Sequence, residues 1–334
     1  MGIYKISGKL TTQIDSVSDI QTTQIDDIIV EGRSWPQPVA AAEEDTAAFY
    51  GGRGLWNGGS AGGSNQYNFI DYLTIATTGN ATDFGDLSSA RTNAGACSNG
   101  TRGIFGGGWS GAGWTKHNTI DYVTIATPSD ATDFGDLTNK RGSPGACSDG
   151  TYGVWGGGDN NTIDYVTIAT PANATDFGDL TVARRYLGAC SNGTRGVWGG
   201  GYSTYNTIDY VTIATTGDAS DFGDLTVGRN NLGACSDGTY GLWGGGSGGG
   251  EHNTIDYVTI ATPSDATDFG DLIAVGVGGG LDRPGACSDG TYGLWSGGSY
   301  INNIDYVTIA TTDDASDFGD LVTTWKYRTA CSGD

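Results

Sequence analysis

The groups with which this chain could do covalent or metal chemistry are six cysteines, two histidines and a large stock of carboxylates. Cys97, Cys147, Cys190, Cys235, Cys287 and Cys331 all stand in the triplet Ala-Cys-Ser. Equivalent positions in successive repeats point alike, so they do not come within the roughly 5.5 Å between Cα atoms that a disulfide needs. Reduced, packed thiols are expected. His117 and His252 lie on separate segments far from any cysteine, which leaves no zinc or copper ligand set to read. No Ser-His-Asp constellation is readable either. The string Asp130-Ala-Thr-Asp133-Phe-Gly-Asp136 and its copies carry carboxylates, but not at the EF-hand spacing, and they read as turn and solvent-facing groups. A glycosidase carboxylate pair stays open, although the repeat accounts for the abundance of acids. The expectation is a protein that is not an enzyme and holds no metal and no cofactor.

The elements that position these groups come from an internal repeat. Ile-Asp-Tyr-(Val/Leu)-Thr-Ile-Ala-Thr begins at Ile70, Ile120, Ile163, Ile208, Ile255 and Ile304, and Asp-Phe-Gly-Asp-Leu follows each copy. Successive cysteines are 43 to 52 residues apart, too long for ankyrin or tetratricopeptide units and right for propeller blades. Gly188 to Leu225 shows the unit: a short Gly-Ala-Cys-Ser strand and an Asn192-Gly193 turn expected to be type I′. A strand to Trp198, three glycines, a Tyr-Val-Thr-Ile strand and an Asp-Phe-Gly-Asp strand complete it. Apolar residues on both faces of the third strand demand packing on both sides. The fold expected is all-β, a six-bladed propeller of four-stranded antiparallel blades with a short N-terminal arm. The blades fall at about 46-87, 96-137, 146-180, 189-225, 234-272 and 286-321. Two segments compete for the inner strand of the first blade, 46-51 and 329-334; the latter is preferred because Ala-Cys-Ser repeats the consensus.

Arg184, Gly199-Gly200, Tyr210 and Phe222 follow one another in an order that resembles the kelch repeat, with Phe where that repeat commonly has Trp. The near-identical units also resemble propellers encoded by tailed bacteriophages. That likeness implies a virion surface component, such as a tail fibre or receptor-binding protein, assembled in a host cytoplasm.

The loops divide into two classes. Those joining strands one to two and three to four hardly vary, whereas those joining strands two to three, and blade to blade, vary in length and composition. Binding is expected on the variable face. Ten of the 16 basic residues map there: Arg91, Lys116, Lys140, Arg141, Arg184, Arg185, Arg229, Arg283, Lys326 and Arg328. Aromatic residues join them, so the reading is a locally basic, aromatic surface on an acidic protein. The candidate ligand-binding set is Trp109, Trp114, Lys116, His117, Arg141, Arg185, Tyr186, Tyr202, Tyr205, Arg229, His252, Tyr300, Lys326 and Tyr327. Rings that stack and planar groups that bond hydroxyls suit host-surface glycans, much as antibody loops use Tyr and Trp. The arginine six residues before four of the cysteines is expected to serve structure first. Trp109 and Trp114 have no equivalents in other units and look free of scaffold demand.

A formal charge of -22 argues against nucleic acid as partner. No signal peptide or membrane span is readable. Residues 1-45 lack the repeat, fit neither helix nor strand cleanly, and are expected to form an arm that docks other virion proteins, Ile28-Ile29-Val30 offering a strand to add. Homo-oligomerisation stays open. So do two other functions: a decoration protein without ligand, and a glycan hydrolase.

Overall fold

The computed structural model describes four short strands in the first 50 residues, and then residues 51-333 except 62-64, 274-280, 283, 299-300 and 325-326. The chain divides into two units, Met1–Asp45 and Thr46–Asp334. In the first, Tyr4–Ile6 pairs with Lys9–Thr11 and Ile29–Val30 pairs with Arg33–Ser34, both antiparallel. Ile29 and Val30 therefore already have a strand partner within the unit.

The second unit is a six-bladed β-propeller, and no described residue is helical. Blade 4 is representative, with Gly188–Ser191, Arg195–Gly199, Thr207–Thr212 and Ser220–Asp224 hydrogen-bonded in that order. Blades 2, 3, 5 and 6 begin at the inner strands Gly95–Ser98, Gly145–Ser148, Gly233–Ser236 and Gly285–Ser288. Blade 1 takes its inner strand from the far end of the chain: Thr329–Gly333 pairs with Arg53–Asn57. The competing segment 46-50 lies outside the described residues. The ring closes further through Ser98, whose Oγ donates to the Ser332 carbonyl. Corresponding bonds run from Ser148 to Ser98, 2.5 Å, and from Ser236 to Ser191, 2.6 Å.

Packing follows the two-sided pattern of the third strand. In blade 3, Ile163 and Tyr165 pack towards blade 4 with Phe177, Trp198 and Val211, while Val166 and Ile168 pack towards blade 2 with Phe134 and Trp155. Six such inter-blade clusters make up the core. The thiols belong to it. All six cysteines are free and buried, each sulfur set against a glycine of the following blade, as Cys147 is against Gly196. Burial pushes the Cys331 thiol up to about 12.

The Asn192-Gly193 turn differs from expectation. Only Gly193 has positive φ, +79°, and the Asn192 N–H donates to the Arg195 carbonyl. The tip is thus Gly193-Thr194, with glycine first as in a type II′ turn. Asn192 stands one place earlier because its Oδ1 accepts the N–H groups of Thr194, 3.0 Å, and Arg195, 2.7 Å. A second invariant glycine explains the constant loop between strands three and four. Gly223 has φ +143°, and a Cβ there would lie 2.4 Å from the Ser264 carbonyl of the next blade. That approach lets Ala266 N–H donate to Asp224 O at 2.8 Å and Asp265 Oδ1 accept from Asp224 N–H at 3.1 Å. The unvarying face is framework because its loops clamp neighbouring blades.

Blade 1 breaks the pattern on both sides. In blades 3 to 6 an indole N–H donates to an inner-strand glycine carbonyl of the preceding blade, as Trp155 does to Gly95 at 3.0 Å, whereas the buried Trp56 N–H of blade 1 has no such partner. The Trp155 ring lies so close that a Cβ at Gly95 or Gly106 would come within 2.7 Å of it. Blade 1 has Thr329 and Asn57 at those two places, and blade 2 meets them with the smaller Phe105. Asn57 Nδ2 donates to the Thr329 carbonyl at 3.2 Å, replacing the missing indole donor.

Candidate binding face

The variable face is built on connectors that are stapled from beneath. In blade 3, Asp164 alternates with Ile163 and so faces back towards blade 2. There Arg141 Nη2 meets its Oδ2 at 2.6 Å, and Thr138 binds it through Oγ1 at 2.7 Å and its own N–H at 3.0 Å. Arg91–Asp121, Arg184–Asp209, Arg229–Asp256 and Arg328–Asp71 repeat the pair. All five arginines have side chains with no exposure. Burial lowers their pKa values against the pull of the partner carboxylates. Arg141 and Arg229, expected on the binding face, are therefore inside the scaffold, as are Arg91, Arg184 and Arg328. The locally basic surface contracts accordingly: half of the ten basic residues mapped to it are neutralised by aspartates of the third strands. Burying an ion pair adds little net stability, but removing one partner leaves an uncompensated charge. The pair thus holds each connector to a single position.

Above this layer the described side chains form one contiguous arc. It begins at Tyr327, whose ring centroid is 6.1 Å from that of Trp114, in edge contact. Trp114, 42% exposed, meets Trp109 edge-on at 6.3 Å. Lys116 Nζ lies 5.4 Å from the Trp109 ring centroid and 2.7 Å from Asp159 Oδ2. Asp159 Oδ1 holds Arg185 Nη1 at 2.5 Å. The Arg185 guanidinium then lies over both Tyr186 and Tyr202, at 5.2 and 4.6 Å. Tyr202, 53% exposed, ends the arc. One acidic residue orients two cations, each set against an aromatic ring, so Asp159 is the organising group of the arc. Asp159 is not among the candidate residues that the sequence offered.

Trp109 corrects another expectation. It is 7% exposed, donates its indole N–H to Ser143 Oγ at 2.9 Å, and covers Gly142, where a Cβ would lie 1.9 Å from the indole. Trp109 is scaffold for the extra hairpin of blade 2, Trp109–Ser110 paired with Thr115–Thr124, and Trp114 is the ring that hairpin presents. Within the hairpin, Ser110 Oγ lies 2.6 Å from His117 Nε2. Burial, then the charges of Arg91 and Lys140, pull His117 below its ordinary pKa, leaving a neutral imidazole at pH 7. Asp121, the carboxylate that acts on it, already binds Arg91 and Ser88 through its two oxygens. This Ser–His contact therefore closes a hairpin without the third member of a catalytic triad.

His252 stands apart in blade 5, where its Nε2 is 3.3 Å from the Gly248 carbonyl. Tyr205 is half-buried, its main chain bonded to Gly201 and Arg229. Tyr300 and Lys326 lie outside the described residues. Among the described residues no group of three or more His, Cys, Asp or Glu is placed to hold a metal ion. No protein-family model matches the chain, and no curated protein resembles it in sequence.

The axial channel opens on the same face. Its mouth is a cavity of about 90 Å³ lined by the starts of the inner strands and by Asn93, Ser143, Tyr186 and Asn231. A second cavity at the opposite end, also about 90 Å³, is lined by the Ala-Cys-Ser triplets.

Proposed function

We propose that the variable face binds saccharide at a host-cell surface without catalysing its cleavage, as the recognition module of a virion component. The observation that carries the binding reading is the arc from Trp114 to Tyr202. Its terminal rings are exposed, its two cations are held in fixed orientation by Asp159, and it lies on the loops that differ between repeats. Exposed, rigid aromatic rings offer stacking surface at low entropic cost, and oriented cation donors bond hydroxyl or carboxylate groups. The virion placement rests on the likeness of the repeats to kelch-like propellers of tailed bacteriophages, and residues 1-45 would then supply the attachment to other virion proteins.

The test is a glycan array probed with the wild-type chain and with Trp114→Ala/Tyr202→Ala. Loss of two such anchors should lower apparent affinity by tenfold or more, the scale of an aromatic hot spot of about 2 kcal/mol. Failure of the wild type to bind any bacterial surface saccharide, or equal binding by the variant, would reject the proposal. Release of reducing ends from a bound glycan would replace it with a hydrolase.

A further inference from the structure

Four residues before the cysteine in five blades stand Asn93, Ser143, Tyr186, Asn231 and Tyr327. All five have positive φ, between 53° and 67°. Their main chains form a belt around the axis. Asn93 N–H donates to Tyr327 O at 3.0 Å, Ser143 to Asn93 at 3.1 Å, Tyr186 to Ser143 at 3.0 Å and Asn231 to Tyr186 at 2.8 Å. The belt itself uses only backbone atoms, so it demands the left-handed conformation and not the side chains, although Ser143 Oγ also accepts from the scaffold residue Trp109. Glycine meets that demand without strain, and it holds the other repeated positive-φ positions, such as Gly193, Gly200 and Gly223 in blade 4. None of these five positions is glycine. Positive φ retained at equivalent positions that hold Asn, Ser and Tyr, and never glycine, points to a use for the side chains.

Four of the five line the axial mouth. Asn231 is only 7% exposed, and its Oδ1 has no hydrogen-bond partner; the half-buried Asn93 likewise has an unpartnered Nδ2. Ser143 Oγ accepts from Trp109, which leaves its own proton available. The mouth thus presents an unpaired acceptor and unpaired donors around its rim, and Arg328, the charged residue of its lining, is already paired with Asp71. Several hydroxyl groups on one molecule, each able to donate or accept, answer both needs. At roughly 10–15 Å³ per water, 90 Å³ has room for about six to nine waters, or for one small hydroxylated ring in their place. Tyr186 connects this mouth to the arc, since its ring is 6.3 Å from that of Tyr202.

We propose that the axial mouth is a separate subsite that takes one neutral monosaccharide unit, with Asn93, Ser143 and Asn231 determining which. This inference rests on the saccharide reading of the arc, and it is tested apart from it. The probes are free glucose, galactose, mannose and N-acetylglucosamine, followed by saturation-transfer NMR. Asn93→Gly/Asn231→Gly suits the belt conformation, so its thermal midpoint should hold while affinity for the engaged sugar falls at least tenfold. Asn231→Tyr, which puts at this position the residue found at 186, should block the mouth sterically with the same loss. Trp114→Ala/Tyr202→Ala should keep the free-sugar signal. Undiminished transfer in both mouth variants would overturn the subsite. So would wild-type binding on the glycan array with no transfer to any of the four sugars, an outcome that leaves the arc proposal standing. Silence in both experiments would remove both.

Discussion

Arg141 Nη2 lies 2.6 Å from Asp164 Oδ2, and neither side chain is exposed. The two residues belong to successive blades, so the contact ties the connector that carries the variable face to the third strand of the next blade. Five such pairs convert a flexible stretch into a fixed platform.

Breaking one pair should be costly. Arg141→Met leaves the Asp164 carboxylate buried without its counter-charge, and chemical denaturation should show a loss of about 3–5 kcal/mol. Adding Asp164→Asn, which removes the stranded charge, should recover part of it. A loss below 1 kcal/mol in the single variant would mean that the pair is solvated in solution.

Blade 6 lacks this arrangement among the described residues. Among the described residues Asp305 accepts only the Ile273 N–H, at 3.1 Å, and its Oδ1 has no partner. Burial, with a smaller push from Asp317, raises its pKa to about 7. Between about pH 4, where an unfolded aspartate titrates, and pH 7, the folded chain keeps a proton that the unfolded chain has lost. Stability from this group is therefore largest below pH 4 and falls as pH rises through that window. Asp305→Asn should match the wild type near pH 4 and exceed it by a few kcal/mol at pH 8. Parallel stability curves across that range would contradict the assignment.

The inter-blade slot behind each cysteine admits no extra atom. A Cβ at Gly241 would lie 2.8 Å from Cys190 Sγ and 3.2 Å from Ile260 Cγ1. Gly241→Ala should cost about 1–3 kcal/mol by overpacking. Because the two residues touch, Cys190→Ala/Gly241→Ala should cost less than the sum of the single variants, a non-additivity that a double-mutant cycle reads directly. Simple additivity would show that the alanine is accommodated elsewhere.

The closing blade offers a compensation test. Phe105→Trp forces an indole against Thr329 and Asn57, with an expected loss of about 1–3 kcal/mol. Supplying the glycines found in blades 2 to 5, through Asn57→Gly and Thr329→Gly, should restore room and an indole acceptor and recover stability in thermal unfolding. If the triple variant is no better than Phe105→Trp, the correlated substitution is not what shapes this seam.

Much of the architecture was legible because it is written six times. The Ile-Asp-Tyr strands, the Asn/Asp-Gly turns and the cysteine intervals define strands, blades and constant face without coordinates. The repeated setting of the cysteines likewise foretold free, packed thiols, which is what the inter-blade slots hold. Turn geometry was less legible. Asn192-Gly193 carries the composition of one turn and the φ signs of another, since the asparagine side chain bonds backbone N–H groups across the tip.

What the sequence alone determined is therefore the periodic part: local patterns, repeated, whose meaning does not depend on distant partners. Only the tertiary structure decided which variable residues face solvent. Arg141 reads as a surface cation until Asp164, 23 residues later, folds back beneath it, and Trp109 reads as an exposed ring until Gly142 and Ser143 come under it. Charge and size are properties of a residue, but exposure is a property of its neighbours. In a closed ring, those neighbours come from the next blade, which no local pattern identifies.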